Sequence, residues 1–356
     1  MTLKNSSHKL DLLIENDACF AIYRLPNETS PKFVMQNTGE PKQIFDIEEL
    51  DANNGFVIAP YRINEETPVL VIRPDCDDLK NVVIPNKQNS TKGDDKVMLN
   101  NIDRNEYNRL FEQFYNTLND GTLKKLVLSR SKSITRNKDF SPGKSFYRAM
   151  EKYKNSYVFL FHTPKSGTWL GSTPEILLSG KGNTWHTVAL AGTQYHKKEK
   201  ISWDDKNLRE QHLVTSYLLN QLSSFNISPE INGPYTTKAA NLAHLKTDLD
   251  FILPEAANLG KLLKSLHPTP AVSGLPKEEA FRFIELNEGY DRRYYTGFVG
   301  MLDKSSDTNI YVNLRCMKIG KSLLTLFAGS GLVTSSNSKD EWKETEQKLK
   351  TMASIC

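Results

Sequence analysis

Short runs rich in β-branched and aromatic residues recur along the whole chain, and the helical stretches between them do not alternate with them one for one. The runs fall at 56–58, 69–73, 82–84, 126–129, 157–161, 310–314 and 323–327, each suited to one strand. Apolar residues at helical spacing predict helices over 106–118, 144–154, 206–222, 259–266, 277–286 and 340–352. The clearest is the first, where Tyr107, Leu110, Phe111, Phe114, Tyr115 and Leu118 share one face. Parallel strands need a crossover for every pair, usually a helix, and this order does not supply one. The pattern therefore predicts an α+β fold with largely antiparallel sheet rather than a doubly wound one. A polar stretch at 86–105, rich in Asn, Lys and Asp, reads as a long loop. It separates a strand-rich portion, 1–100, from a mixed portion, 101–356.

Composition removes several classes of function. Hydrophobic residues make up 38% of the 356 positions and charged residues 25%, a balance that supports a real core. The net charge of +4 is spread out, and the densest basic stretch, residues 196–200, is short and contains an acid. It reads as a solvated loop, and nucleic-acid binding is not expected. No apolar run approaches the ~18 residues of a membrane span, and the first sixteen residues lack the apolar core of a secretion signal. Cys19, Cys76, Cys316 and Cys356 form no C-x-x-C pair, so neither a zinc site nor a disulfide framework is signalled. A cytoplasmic enzyme without a membrane partner is the expectation.

Carboxylates on apolar helix faces are the first chemical clue. Glu210 shares its face with Leu213, Val214 and Tyr217, at i+3, i+4 and i+7. Glu341, Glu344 and Lys348 project from one side of the last helix, beside Trp342, Leu349 and Met352. A buried carboxylate is costly unless it is paired or binds a metal. Each pattern alone also fits an acid at the edge of an apolar stripe, or an i,i+4 ion pair on a charged outer face. Together they would suit Mg2+, which prefers a few hard oxygen ligands from protein and completes its shell with water and anionic substrate. Two Gly-rich segments, Leu190-Ala191-Gly192-Thr193 and Ala328-Gly329-Ser330-Gly331, read as turns at strand ends whose backbone N–H groups can approach an anion. No P-loop or dinucleotide fingerprint is present.

Nine blocks then stand in one order: Lys125-Leu-Val-Leu-Ser-Arg130, Gly171-Ser-Thr-Pro-Glu175, Leu190-Ala-Gly-Thr193, His244-Leu-Lys-Thr247, the segment from His267 through Pro268, Thr269, Pro270 and Ala271 to Pro276, Arg292-Arg-Tyr-Tyr-Thr-Gly297, Asn313-Leu-Arg315, Ala328-Gly-Ser-Gly331 and Glu341-Trp-Lys-Glu-Thr345. The series resembles the chorismate-utilising enzymes and covers about two thirds of the chain. The resemblance implies two facing, mostly antiparallel sheets with helices outside, both portions of the chain belonging to one fold and 101–356 being the catalytic part. It implies Mg2+ as cofactor, with Glu210 and Glu344 as ligands and Glu341 acting nearby through water.

Three features resemble the isochorismate-forming branch. Lys125 stands where the water-adding branches have a lysine base, whereas the aminating enzymes usually have glutamine. Ala271 stands where salicylate synthases tend to carry threonine. No glutaminase segment is attached. The implied reaction adds water at C2 of chorismate and expels the C4 hydroxyl, for menaquinone or siderophore synthesis, in a monomer without a glutaminase subunit. Salicylate formation, amination and a non-catalytic descendant of the fold are the rival readings.

By the same resemblance Lys125 is the base and Glu175 the acid, and desolvation in a deep pocket would shift both in the useful direction. Arg315 and Tyr295 resemble the residues that hold the pyruvyl carboxylate. Gly192, Thr193, Gly329 and Lys348 would complete the substrate cradle, with His244 and Ala271 lining it near the ring. The chain departs from the family pattern at Arg293, often glycine, at Gln194, often arginine, and at Gln211-His212, which interrupts a usual Glu-His pair.

Overall fold

A computed structural model describes residues 3–85, 101–195, 201–239, 242–253 and 258–356. The basic stretch at 196–200 and most of the predicted 86–105 loop lie outside the described residues. In chain order the elements begin with α1 (Leu3–Glu15), β1 (Cys19–Arg24), β2 (Lys32–Gln36), β3 (Lys42–Ile44), β4 (Gly55–Ala59) and β5 (Val69–Ile72). Then come α2 (Arg104–Asn119), β6 (Lys125–Thr135), α3 (Pro142–Lys152), β7 (Tyr157–Thr163), β8 (Gly167–Thr173), β9 (Ile176–Lys181) and β10 (Thr184–Tyr195). The remainder is α4 (Asp205–Ser224), β11 (Glu230–Ala239), β12 (Leu242–Ile252), α5 (Leu259–Leu266), β13 (Gly274–Leu275), α6 (Lys277–Asn287), β14 (Phe298–Leu302), β15 (Asp307–Val312), β16 (Cys316–Ile319), β17 (Leu323–Leu332) and α7 (Ser338–Ala353).

The strands form two sheets, ordered β13-β6-β17-β16-β8-β7-β1-β2 and β11-β12-β10-β9-β15-β14-β4-β5-β3. Paired neighbours run antiparallel throughout, as at β17 with β6 and β10 with β12. The first five strands are divided between the sheets: β1 and β2 extend the first beside β7, and β3, β4 and β5 extend the second beside β14.

The two sheets face each other across an aromatic layer. Tyr157 of β7 and Tyr311 of β15 stack with ring centroids 4.2 Å apart and planes within 5°. Trp169 of β8 stacks on Phe327 of β17 and meets Tyr294 edge-on. Each fully buried side chain of this size contributes about 2 kcal/mol by transfer from water. The helices cover the outer faces. Val214, Leu218 and Leu222 of α4 pack with Leu262, Leu263 and Leu266 of α5 on the second sheet. Leu10 and Leu13 of α1, Phe146 of α3 and Leu349 of α7 close the first. The fold class is thus the expected one, two facing antiparallel sheets with helices outside.

Local chemistry sets the helix ends. Asp103 caps α2 by accepting from the backbone of Asn105 and Glu106, Asp204 caps α4 through Asn207, and Asn337 caps α7 through Asp340. The six predicted helices all form. The strand expected at 82–84 does not, although Val82 is buried against the first sheet's outer core. Among the described residues no helix is long and apolar enough to cross a membrane.

Candidate active site

One cleft collects every predicted site residue except Lys125 and Glu341. Its walls come from distant parts of the chain: Glu175 from the β8–β9 turn, Gly192 and Thr193 from β10, Glu210 from α4, and His244 from β12. Ala271 comes from the α5–α6 connection, Tyr295 and Arg315 from the ends of β14 and β15, Gly329 from β17, and Glu344 and Lys348 from α7.

Two buried ionisable groups of the cleft, Glu175 and Arg315, form no salt bridge among the described residues. Glu175 is buried, and burial pushes its carboxyl up to about 7; the Thr269 hydroxyl and the charges of Lys125, Lys348 and Arg315 pull the other way. The hydroxyl of Thr269 donates to Glu175 Oε1 at 3.3 Å. Arg315 is also buried and forms no salt bridge among the described residues. Its Nη2 donates to His244 Nε2 at 2.9 Å. A guanidinium can only donate, so that imidazole nitrogen carries a lone pair and the proton sits on Nδ1. Nδ1 in turn lies 3.0 Å from the carbonyl of Gly192 and 3.3 Å from Thr193 Oγ1. His244 is therefore neutral, in keeping with burial and then Arg315 and Lys348, which hold its pKa well below the ordinary value. The bond ties the guanidinium to β12. Arg315 itself has φ 47, a left-handed conformation that costs an arginine energy and turns the side chain inward from the end of β15.

On α4 and α7 each predicted site carboxylate has its own lysine. Lys125 is 0% exposed and its Nζ lies 2.9 Å from Glu210 Oε1. Burial is the largest influence and raises the Glu210 carboxyl, but the Lys125 charge and hydrogen bond, with the charges of Lys206 and Lys348, together outweigh it and the net shift is downward. Glu344 pairs with Lys348 at 2.7 Å, and Lys348 also donates to the carbonyl of Gly329 at 2.8 Å. Glu341, only 1% exposed, is bonded by Lys206 of α4. Burial and the Glu344 charge nevertheless raise Glu341 to about 7, and its Oε2 is buried without a hydrogen-bond partner among the described residues. Helix α7 is fixed here by Trp342: the Arg130 guanidinium lies 3.7 Å from the ring centroid while its Nε donates to Thr345 Oγ1 at 2.8 Å.

This side is where a cation could be held. Among the described residues no group of three or more His, Cys, Asp or Glu side chains has the arrangement of a metal cage. The donor set is instead two or three carboxylates on α4 and α7, one with an unmet buried oxygen, which fits an ion that takes few protein ligands.

Two expectations change. The Gly-rich segments are not turns: Gly192 lies within β10 and Gly329 and Gly331 within β17. Gly192, at φ 66, sits where the register between β10 and β12 shifts. Gly331 makes room, since a Cβ there would come within 2.3 Å of Glu210 Oε1 and 3.1 Å of Lys125 Cε. The carbonyl of Gly329 accepts from Lys348, and that of Gly192 faces His244 Nδ1. Lys125 stands behind the cleft wall, against Glu210, rather than in the lining.

The departures from the family pattern have local explanations. Arg293 has φ 51, a conformation that suits glycine, and its N–H donates to Asp291 Oδ1 at 2.8 Å. Gln194 donates to the carbonyl of Ser202, and Gln211 reaches the carbonyl of Ala189 and Thr247 Oγ1 behind the cleft. Sequence reasoning missed Thr269, Lys206 and the Arg292–Glu288 pair. Arg292 donates to both Glu288 oxygens, to Val272 O and to Val127 O, while Glu288 accepts from the N–H of Ser129. An i,i+4 spacing announced that pair, and Lys206 stands one turn before Glu210 on α4; their partners across the fold left no sequence signal.

One cleft lined from both antiparallel sheets thus holds a buried acid and a buried guanidinium that forms no salt bridge among the described residues. Residues 55–356 match the family model of the chorismate binding enzymes, and the chain belongs to that family. It is 30% identical over 241 residues to the isochorismate synthase EntC of Escherichia coli K12, covering 65% of this chain and 62% of that protein. The isochorismate synthase DhbC of Bacillus subtilis is 30% identical over 264 residues, 69% of this chain and 66% of that one. The chain thus matches less than two thirds of the length of either relative. The crystal structure of DhbC from Bacillus anthracis shares the fold at a TM-score of 0.80 and 24% identity, covering 98% of both chains.

Proposed function

We propose that this protein is an isochorismate synthase, adding water at C2 of chorismate while the C4 hydroxyl departs, in a reversible reaction. The observation that carries the reading is the pairing of Glu175, a buried acid with a pKa near 7, with Arg315, a buried guanidinium with no carboxylate of its own, on one cleft. The names of the relatives at 30% identity support it.

Hydroxide is a poor leaving group and water a poor nucleophile, so the reaction needs an acid and a base on the two sides of the ring. Glu175 supplies the proton, since burial keeps a substantial fraction of it neutral near pH 7. Lys125 is the base in this reading: the ammonium that pairs with Glu210 first gives its proton to solvent, and the neutral amine then takes one from the attacking water. Arg315, held by neutral His244, grips one substrate carboxylate in a two-pronged contact, and Tyr295, whose hydroxyl lies beside Gly329, lines the same cleft. Gly192, Thr193, Gly329, Ala271 and Lys348 shape the remaining wall. Glu210 and Glu344, with Glu341 behind them, are the residues that would hold Mg2+, which when bound supplies a Lewis acid for the ring carboxylate. Ala271 leaves space where a threonine would add a hydroxyl, and Lys125 stands where the aminating enzymes usually have glutamine; both favour isochorismate over salicylate or an aminated product.

The test is an end-point assay of the purified chain with chorismate and Mg2+, with and without chelator and ammonium, the products being separated by chromatography. Chelator-sensitive isochorismate, reached as the same mixture from either side, is the expected result. Salicylate or an ammonium-dependent product would overturn the branch assignment, and no turnover by folded protein would overturn the catalytic reading.

A further inference from the structure

The connection between α5 and α6, residues 267–276, is fastened at several points along its length. His267 Nε2 donates to the carbonyl of Pro60 at 3.1 Å, and the hydroxyls of Tyr61 and Ser273 meet at 3.0 Å. Arg292, locked to Glu288, donates to Val272 O at 2.7 Å, and Val127 N donates to Ser273 O at 2.6 Å. A segment tied this firmly holds its side chains in place without a covalent link. One of them, the buried Thr269, reaches the carboxyl of Glu175.

The contact has a direction. A hydroxyl that donates to Oε1 leaves Oε2 as the oxygen on which a neutral carboxyl keeps its proton. We propose that Thr269 is a positioning residue for the acid step, reserving Oε1 of Glu175 so that the proton stands on Oε2, ready for the leaving hydroxyl. This rests on the reading of Glu175 as the acid. Thr269 also tunes the acid. Its hydrogen bond favours the carboxylate and so works against burial, alongside the charges that face Glu175 from elsewhere: Lys125 on β6, Lys348 on α7 and Arg315 after β15. The acid is thereby kept near neutrality rather than held permanently protonated.

Infrared difference titration of the resting protein tests this without turnover, with Glu175→Gln identifying the Glu175 carboxyl band. The band should titrate near 7 in the parent protein, about one pH unit higher in Thr269→Val, and near 7 again in Thr269→Ser. In the turnover assay the descending limb of kcat against pH should move upward with it in Thr269→Val. Its plateau should fall about tenfold with KM little changed, because the proton loses its fixed oxygen. Should Thr269→Val fail to fold by circular dichroism, Thr269→Ala carries the same expectation. A titration midpoint and pH limb that coincide with the parent's in a folded variant lacking the hydroxyl would overturn the assignment. Failure of the parent to form isochorismate would sink the functional reading instead, and the titration would still decide what Thr269 does to Glu175.

Discussion

On the α4–α7 side of the cleft Glu210, Glu341 and Glu344 are matched by Lys125, Lys206 and Lys348; elsewhere on its lining Glu175 and Arg315 are buried with no ion-pair partner among the described residues. Buried charge is costly unless paired, so the first group is largely satisfied as folded and the second is not. The comparison teaches where each kind of work is done. In the proposed reading the two groups without salt bridges serve the substrate, Glu175 by giving a proton and Arg315 by taking a carboxylate. The paired side is a charge network into which a cation could enter by taking over carboxylates that lysines now hold.

Substitutions on the two sides should break that symmetry in different ways. Glu175→Gln and Lys125→Ala should each lower kcat by about 100-fold to 10,000-fold. They should part company in stability. Lys125→Ala strands the Glu210 carboxylate and should cost about 3–5 kcal/mol, whereas Glu175→Gln removes an unpaired acid and should leave the melting temperature unchanged or higher. Equal melting temperatures would contradict the contrast. The parent enzyme should also lose forward activity as pH rises through about 7, where Glu175 gives up its proton, and acidification should restore it.

Next in size, Glu344→Ala should remove most of the Mg2+ dependence, seen by calorimetric titration as a loss of the binding heat. Retained binding would take Glu344 out of the cation site. The smallest effect expected is that of His244→Ala, which removes the imidazole that fixes Arg315. It should raise KM about tenfold, or about 1.4 kcal/mol, with a lesser change in kcat. A change confined to kcat would mean that His244 acts on the reacting atoms.

How much of this could be read from sequence differs between the same two regions. Helical periodicity exposed the carboxylates of α4 and α7, because residues three and four apart share a face whatever lies opposite. It could not show that Glu341 meets Lys206, since that bond joins helices 135 positions apart. Glu175 and Arg315 carried no periodic signal, and their assignment came from the family resemblance of the blocks around them. The glycines misled in a physical way. Gly331 is needed because Glu210 occupies the space of its Cβ, a tertiary reason that looks identical to a turn in sequence. The β11–β12 hairpin went unpredicted because its outer strand, β11, is an exposed and mostly polar edge. Helix α1 was missed because only Ser7, Leu10 and Leu13 are buried along it.

The central claim is that water enters the ring on one side while Glu175 releases a hydroxyl on the other. Running the chorismate conversion in oxygen-labelled water and locating the label by mass spectrometry tests it most directly. One labelled oxygen is expected, at C2 of isochorismate, with the original C4 oxygen lost to solvent. Isochorismate formed without label would mean that the hydroxyl migrates within the substrate, and would contradict the assignment of Lys125 and Glu175 as base and acid.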